Sequence, residues 1–268
     1  MTRSILGFFL AALLLVPAAS AAAADSPVLG RIVKSGTLRV GVSGSMPPLN
    51  FKNKDGELMG LEIDLARGLA QTMGVKAQFI EKPFGDLLAA VQKGEVDLVM
   101  SGMSITPERN MKVAFVGPYH LSGKAILTKS SLLAAAENAE DIDDTQLKLS
   151  ALRGSTSAKF VQAVFPDAQL SETDDHDQAV ALVIDDKVQA MVADYEACLL
   201  RVMLNPKANL TMTSKPLTIE PIGIAVAPGD ALLVNFLENT VGALELSGLL
   251  EALRTRWLEN SDWLEQLP

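Results

Sequence analysis

The sequence predicts an α/β fold made of two similar βα lobes, and three observations carry that prediction. Short apolar runs alternate with helical segments of about ten residues, the pattern of βαβ units around a mainly parallel sheet. The pattern restarts after Pro118. An internal echo then appears: Val91–Ser101 (VQKGEVDLVMS) and Val183–Ala193 (VIDDKVQAMVA) share a helix end, a charged turn and an apolar strand at a constant offset of 92 residues. No Pro/Gly/Ser-rich linker separates the halves, so the chain is expected to cross between lobes twice, near Tyr119–Gly123 and Pro216–Ile222. Two adjacent crossings make a hinge.

The elements follow in order. Arg3, the apolar run Ile5–Val16 and the small residues before Asp25 read as a secretory leader over residues 1–24. The first mature element is expected at Thr37–Val42 (TLRVGV), an alternating strand that runs into the loop Ser43–Pro48. Two prolines there disfavour helix and central strand alike. Asn53–Gly56 (NKDG) is a turn between the arms of a small hairpin. Asp64–Met73 reads as an amphipathic helix closed by Gly74, Lys76–Glu81 as a strand, Asp86–Gln92 as a helix and Val96–Met100 as a buried strand. In the second half, strands are expected at Lys124–Thr128, Gln146–Leu152, Ala168–Leu170 and Val188–Val192. Helices are expected from Gly154 to Val164, over Asp177–Asp185 and over Tyr195–Val202. The strand Ile222–Val226 and the helices Ala231–Leu246 and Leu249–Trp257 complete the chain, with Trp257 and Trp263 as surface packing anchors.

Composition narrows the function. The chain has 268 residues, 49% of them hydrophobic, enough for a sizeable core. Its net charge is −9, one unit more negative without Arg3, which argues against nucleic acid or an anionic membrane surface as partner. Two histidines and a single cysteine, Cys198, leave little for a transition-metal site, no internal disulfide and no cysteine after the leader for a lipid anchor. There is no phosphate-binding loop, GxGxxG, HExxH or GxSxG. The acidic run Glu137–Asp144 reads as a solvated face. Neither a cofactor nor a catalytic residue is expected, and binding is the default.

Three stretches share the rim where ligands bind in α/β sheets. Ser101–Asn110 (SGMSITPERN) follows a strand and offers hydroxyls, backbone N–H groups and Arg109, a planar fork for a carboxylate. Gly154–Ser157 opens a helix, so it is either an anion seat or ordinary capping. Asp194 falls at the second-lobe strand end that the echo pairs with Ser101–Gly102, either facing Arg109 or capping the next helix.

The chain resembles the bacterial extracellular solute-binding proteins of family 3, the polar amino acid receptors of ABC importers. The resemblance rests on GTLRVGVSGSMPPLNF (36–51), GLEIDLARGLA (60–70), GDLLAAVQKGEVDLVMSGMSITPERN (85–110), VGPYHLSGKAIL (116–127), LRGSTS (152–157), VADYEA (192–197) and IGIAVAPGD (222–230), with the ITPER block the most specific. It implies the periplasmic-binding-protein-like type II fold, with the first lobe over 25–120, the second over 121–218 and a return to the first over 219–268. It also implies a monomer in the periplasm, a small-molecule ligand and an inner-membrane ABC permease as partner. By position, the resemblance makes Arg109 the carboxylate clamp, with Ser101, Gly102 and Ser104 beside it and Ser155 and Thr156 opposite. Asp194 becomes the acceptor of the ligand ammonium, and Phe84 and Leu152 become pocket walls. Where the family commonly has a first-loop acid and aromatics, this chain has Ser43, Met46 and Leu49. That departure implies a neutral or apolar amino acid, or a related carboxylate, rather than lysine or arginine. Two other functions are compatible with the same resemblance: a periplasmic dehydratase-type enzyme using Glu62 or Asp194 as general acid, and a ligand-sensing module for a membrane partner.

Overall fold

A computed structural model describes residues 26–135, 142 and 146–268; the leader over 1–24 and the acidic residues of Glu137–Asp144 lie outside them. The chain opens with a helix the sequence reading omitted, α1 (Pro27–Ser35), with Pro27 at its first turn and Gly36 in the left-handed conformation at its end. β1 (Thr37–Val42) follows. The loop after it carries a short strand, β2 (Ser45–Met46), which joins β3 (Asn50–Lys52) and β4 (Leu58–Met59) in a small three-stranded sheet. Two residues fit between the loop glycine and the prolines, so the prolines limit that strand without forbidding it. α2 (Leu61–Thr72) starts three residues before the expected Asp64, placing Glu62 and Asp64 in its first turn, where carboxylates suit the helix dipole. β5 (Lys76–Glu81), a 3-10 turn at Phe84–Asp86, α3 (Leu87–Gln92) and β6 (Leu98–Val99) bring the chain to α4 (Pro107–Asn110).

The first crossing is β7 (Ala114–Ser122), which leads through Gly123 alone into β8 (Lys124–Thr128). The second half runs α5 (Ser131–Ala134), β9 (Lys148–Leu152), α6 (Thr156–Val164), β10 (Gln169–Thr173), α7 (His176–Ile184), β11 (Ala190–Asp194), α8 (Tyr195–Leu204) and β12 (Thr211–Met212). β13 (Glu220–Val226) returns to the first sheet, followed by α9 (Ala231–Leu246) and α10 (Leu249–Arg254).

Two five-stranded sheets result, β5-β1-β6-β13-β7 and β10-β9-β11-β8-β12. In each sheet the first three strands are parallel; β13 then runs antiparallel to both β6 and β7, and β8 antiparallel to both β11 and β12. The sheets are therefore mixed rather than mainly parallel, each with one reversed strand, β13 in the first and β8 in the second, because the strand arriving from the other lobe enters the sheet from the opposite end. β6 and β11, the strands of the internal echo, both occupy the third place. The architecture is the two-lobed type II arrangement with a two-strand hinge.

Each sheet buries both faces, as parallel βαβ packing requires. In β8, Ala125 and Leu127 pack into one cluster while Ile126 points into the cluster on the opposite face. Trp257 is 2% exposed and lies in the first lobe's core, edge-on to Phe51 at 6.1 Å between ring centroids, while its indole N–H donates to Asp64 at 3.0 Å. It is a core residue, not the surface anchor expected: the last helical segments fold back over α2 and the small sheet, which local sequence does not reveal.

The hinge strands pair with Glu220 opposite Ser122 and Ile222 opposite His120. Beyond them the Lys124 N–H donates to Thr218 Oγ1 at 2.9 Å, and the Leu217 N–H donates to the Lys124 carbonyl at 2.7 Å. Gly123 sits between, where a Cβ would stand 2.0 Å from the Thr218 carbonyl oxygen and 2.7 Å from Pro216 Cβ. Gly123→Ala must therefore push the crossing strands apart, at a cost of about 2 kcal/mol. The expected fall in melting temperature is roughly 4–8 °C. Gly30→Ala, in α1 with open space around it, is the control and should leave the transition unchanged or slightly raised.

Candidate functional site

The rim after β6 is fixed by local chemistry. Gly102 has φ +58°, and a Cβ on it would meet the Met46 methyl at 2.9 Å. Thr106 caps α4 by accepting from the Arg109 N–H at 3.2 Å, and Pro107 takes the first helical position, where no N–H is needed. That turn aims Arg109 inward, leaving it 6% exposed. Its Nη1 donates to the Ser104 carbonyl at 2.9 Å and its Nη2 to the Gly154 carbonyl of the second lobe at 3.2 Å. The guanidinium carbon lies 5.8 Å from the Phe84 ring centroid. Among the described residues no carboxylate reaches salt-bridge distance of this buried cation. Burial draws its pKa down and Glu220 opposes the shift.

Behind the rim stands Glu62, fully buried. One oxygen accepts from the Gly102 N–H at 2.6 Å and from the Tyr119 hydroxyl, and the other from Asn50 Nδ2 at 2.5 Å. Asn50 in turn accepts from Ser43 Oγ at 3.2 Å and the Gly44 N–H at 2.8 Å. Ser101, also fully buried, accepts from the Ser43 N–H at 3.0 Å and donates to Met46 Sδ at 3.6 Å. Ser43, Ser101 and Gly102 thus face Asn50 and Glu62 rather than the cleft. Burial pushes the Glu62 carboxyl pKa up, against the pull of its three donors.

Across the cleft, Ser155 caps α6 by accepting from the Ala158 N–H at 3.1 Å. Thr156 and Ser104 approach each other at 3.2 Å from opposite lobes, and both donate to Glu220 Oε2, at 2.8 and 2.7 Å. Asp194 occupies the N-cap position of α8 without a side-chain capping bond. Its carboxylate instead lies 2.5 Å from Lys124 Nζ, which is also 2.9 Å from Glu220 Oε2. Burial works against the Lys124 charge, but Asp194 and Glu220 beside it hold its pKa above the usual lysine value. Leu152, at the end of β9, packs into a first-lobe cluster with Met46 and Phe84.

The structure therefore brings Arg109, Ser104, Phe84, Met46, Leu152, Ser155, Thr156 and Asp194 together. It also adds residues that sequence reasoning missed. His120 Nε2 lies 3.0 Å from Glu196 Oε1, and Ser122 donates to Glu196 Oε2 at 2.6 Å, tying β7 to α8. His120, Ser122 and Lys124 alternate along the crossing strand, a period-2 polar pattern in an apolar context that was there to be read. Glu220 gave no such signal. The space enclosed by Met46, Pro47, Pro48, Leu49, Ser122, His176, Asp194, Glu196, Ala197 and Ile222 is only about 20 Å³. That space is too small for an amino acid, and Arg109 does not line it. Cys198 is buried, its thiol pKa pushed up to about 12, and makes an inert core residue.

The sequence profile of the bacterial extracellular solute-binding proteins, family 3, matches residues 38–260. The chain is 28% identical over 250 residues to a cyclohexadienyl dehydratase of Pseudomonas aeruginosa, covering 93% of this chain and 92% of that one. It is 25% identical to an L-cystine-binding protein of Escherichia coli, covering 87% of each. Among solved structures, an ancestral amino acid-binding protein described as a precursor of cyclohexadienyl dehydratase superposes with a TM-score of 0.78 at 33% identity, over 85% of this chain and 98% of that chain.

The raised Glu62 pKa has a sign that can be measured. The folded chain holds the Glu62 proton to higher pH than the unfolded chain, so the Glu62 contribution is most favourable below pH 4.5 and declines as pH rises through the folded pKa. Glu62→Gln cannot titrate. The melting temperature of the native chain minus that of Glu62→Gln should therefore fall as pH is raised from 4 upward; a constant difference, read by differential scanning fluorimetry across pH, contradicts the assignment.

Proposed function

The chain belongs to the bacterial extracellular solute-binding proteins of family 3, and from that premise we propose that it captures a small amino acid or related carboxylate in the periplasm and delivers it to an ABC permease. The single observation that carries the reading is Arg109: a buried guanidinium at the meeting of two lobes, held by one carbonyl from each and, among the described residues, with no carboxylate at salt-bridge distance. A buried cation of that kind favours an anion. A ligand carboxylate would lie on the free N–H groups of Arg109, bordered by Ser104, Ser155 and Thr156, with Phe84, Met46 and Leu152 as walls and Asp194 on the ammonium side. Ser43, Ser101 and Gly102 act from behind by fixing the rim.

The first lobe takes residues 25–120 and 219–268, the second 121–218, and the leader 1–24 directs export. Closure joins the lobes by contacts already of interlobe type: Arg109 to Gly154, Ser104 to Thr156, and Lys159 to Glu108. Micromolar affinity needs roughly 8 kcal/mol net, within reach of a few charge-assisted bonds on a preformed site. The absence of a first-loop acid favours neutral or apolar side chains over cationic ones.

The similarity to a dehydratase over nearly the full chain supports a second reading, an enzyme acting on a cyclic carboxylate. Arg109 would keep its role. Glu62 has all its near neighbours committed to the rim, so the general acid would be Asp194, which borders the enclosed space. Incubation with candidate cyclic carboxylates, followed by product absorbance, separates the two: turnover identifies an enzyme, saturable binding without turnover a receptor.

For the binding reading, a thermal-shift screen over amino acids and small carboxylates identifies the ligand, since saturation at 100 times Kd stabilises the fold by about 2.7 kcal/mol. Arg109→Ala should then weaken that ligand by about 2–3 kcal/mol, roughly 30- to 150-fold in Kd by isothermal titration. A change within about threefold means that Arg109 is not the clamp.

A further inference from the structure

Asp194 stands where the family resemblance seats a ligand ammonium, yet the ammonium it holds is the chain's own. Lys124 Nζ lies 2.5 Å from Asp194 Oδ1 and 2.9 Å from Glu220 Oε2, with the lysine side chain 1% exposed. The lysine cannot readily withdraw. It follows Gly123 as the first residue of β8, its N–H donates to Thr218 and its carbonyl accepts from Leu217, so backbone and side chain are gripped together. Glu220 is equally committed, since the oxygen that meets Lys124 also accepts from Ser104 and Thr156.

From this geometry we infer that Lys124 determines the ligand class: the seat for an α-ammonium is filled from within, and the site takes a small carboxylate that lacks one, such as an α-hydroxy or α-keto acid. The inference rests on the reading of Arg109 as the carboxylate clamp. An incoming ammonium would share Asp194 with Lys124 and lie a few ångströms from a like charge in a desolvated cleft, where such repulsion is strong. A hydroxyl or keto oxygen meets the opposite situation. An ammonium has three donors; Asp194 and Glu220 engage two of those on Lys124, leaving one for a neutral acceptor on the ligand. One end of the ligand would then be read by Arg109 from the first lobe, and the α-oxygen by Lys124 from the second.

The test uses matched pairs that differ only at the α-substituent: L-lactate against L-alanine, and L-phenyllactate against L-phenylalanine, titrated calorimetrically into the full chain. The hydroxy acid is expected to bind at least tenfold more tightly in each pair that binds. Equal or tighter binding of the amino acid overturns the inference. Lys124→Met, which frees Asp194, should move the ratio at least tenfold toward the amino acid; a folded Lys124→Met variant with an unchanged ratio also overturns it. If that variant does not fold, the native ratio decides alone. Arg109→Ala separates this inference from the reading beneath it. If Arg109→Ala weakens both members while the native chain prefers the amino acid, only the role of Lys124 falls; if it weakens neither, the clamp falls. Binding of no member of either pair overturns both.

Discussion

One carboxylate oxygen holds the two lobes in register. Glu220 Oε2 accepts from Ser104 on the first-lobe rim, from Thr156 at the head of α6 and from Lys124 at the start of β8. Glu220 itself stands on the hinge strand opposite Ser122. A carboxylate taken this far from water is tolerable only with donors around it, and here three donors on separate elements meet that need. They hold Glu220 below the usual glutamate pKa although burial pulls the other way. Because the donors come from both sides of the cleft, the solvation of this group and the closure of the lobes are the same event.

The two lobes contribute unequally to that event. On the first-lobe side, Glu62 joins helix α2, the loop at Gly102, the small sheet at Asn50 and the hinge strand at Tyr119 in one buried network. Removing it would leave several donors unpaired inside the core, each costing about 1–3 kcal/mol. That side presents a rigid rim. The second lobe brings its groups on a helix start, Gly154–Thr156, and on the ends of β8 and β11, all of them carried as one body beyond Gly123. His120 and Ser122, bonded to Glu196, tie α8 to the hinge strand β7.

How much of this was legible in the sequence depended on distance along the chain. β1, β5, β8 and α9 lie where periodicity placed them, because alternating or amphipathic burial is a local property. The echo anticipated the equivalent third places of β6 and β11. What was not legible came from non-local pairing. β7 carries Gly117 and Pro118 in its middle and reads as a break, yet β13 holds it as a strand, with an irregular register between Ile222 and Ile224. α1 precedes the first strong apolar run and is anchored from afar, where Asp230 accepts from the Val28 and Leu29 N–H groups. At the site, Arg109, Ser104, Thr156 and Asp194 were readable as chemistry-bearing types at strand and helix ends. Lys124 showed only as the last member of the polar alternation His120, Ser122, Lys124, and Glu220 gave no signal, since a glutamate before Pro221 looks like an ordinary surface charge until the fold buries it against Lys124.

The charges of the closed cleft explain why Arg109 and Lys124, both buried cations, have different fates. Lys124 is a compact ammonium, strongly hydrated in water, and its burial is offset by two carboxylates at hydrogen-bond distance. Arg109 is a delocalised fork, more weakly hydrated, and tolerates a shell of two carbonyls and the Phe84 ring face. That shell offers dipoles, and among the described residues no carboxylate stands at salt-bridge distance, although Glu220 and Asp194 act on the charge from farther off. Charge-assisted bonds to a guanidinium contribute about 1.5–3 kcal/mol, so a carboxylate arriving there gains more than a neutral group of the same shape. Arg109 touches both lobes only when they meet, through Ser104 on one side and Gly154 on the other. An anion on Arg109 therefore favours the form in which those two carbonyls converge, and a two-lobed fold with one buried, unpaired arginine at its seam couples ligand charge to closure.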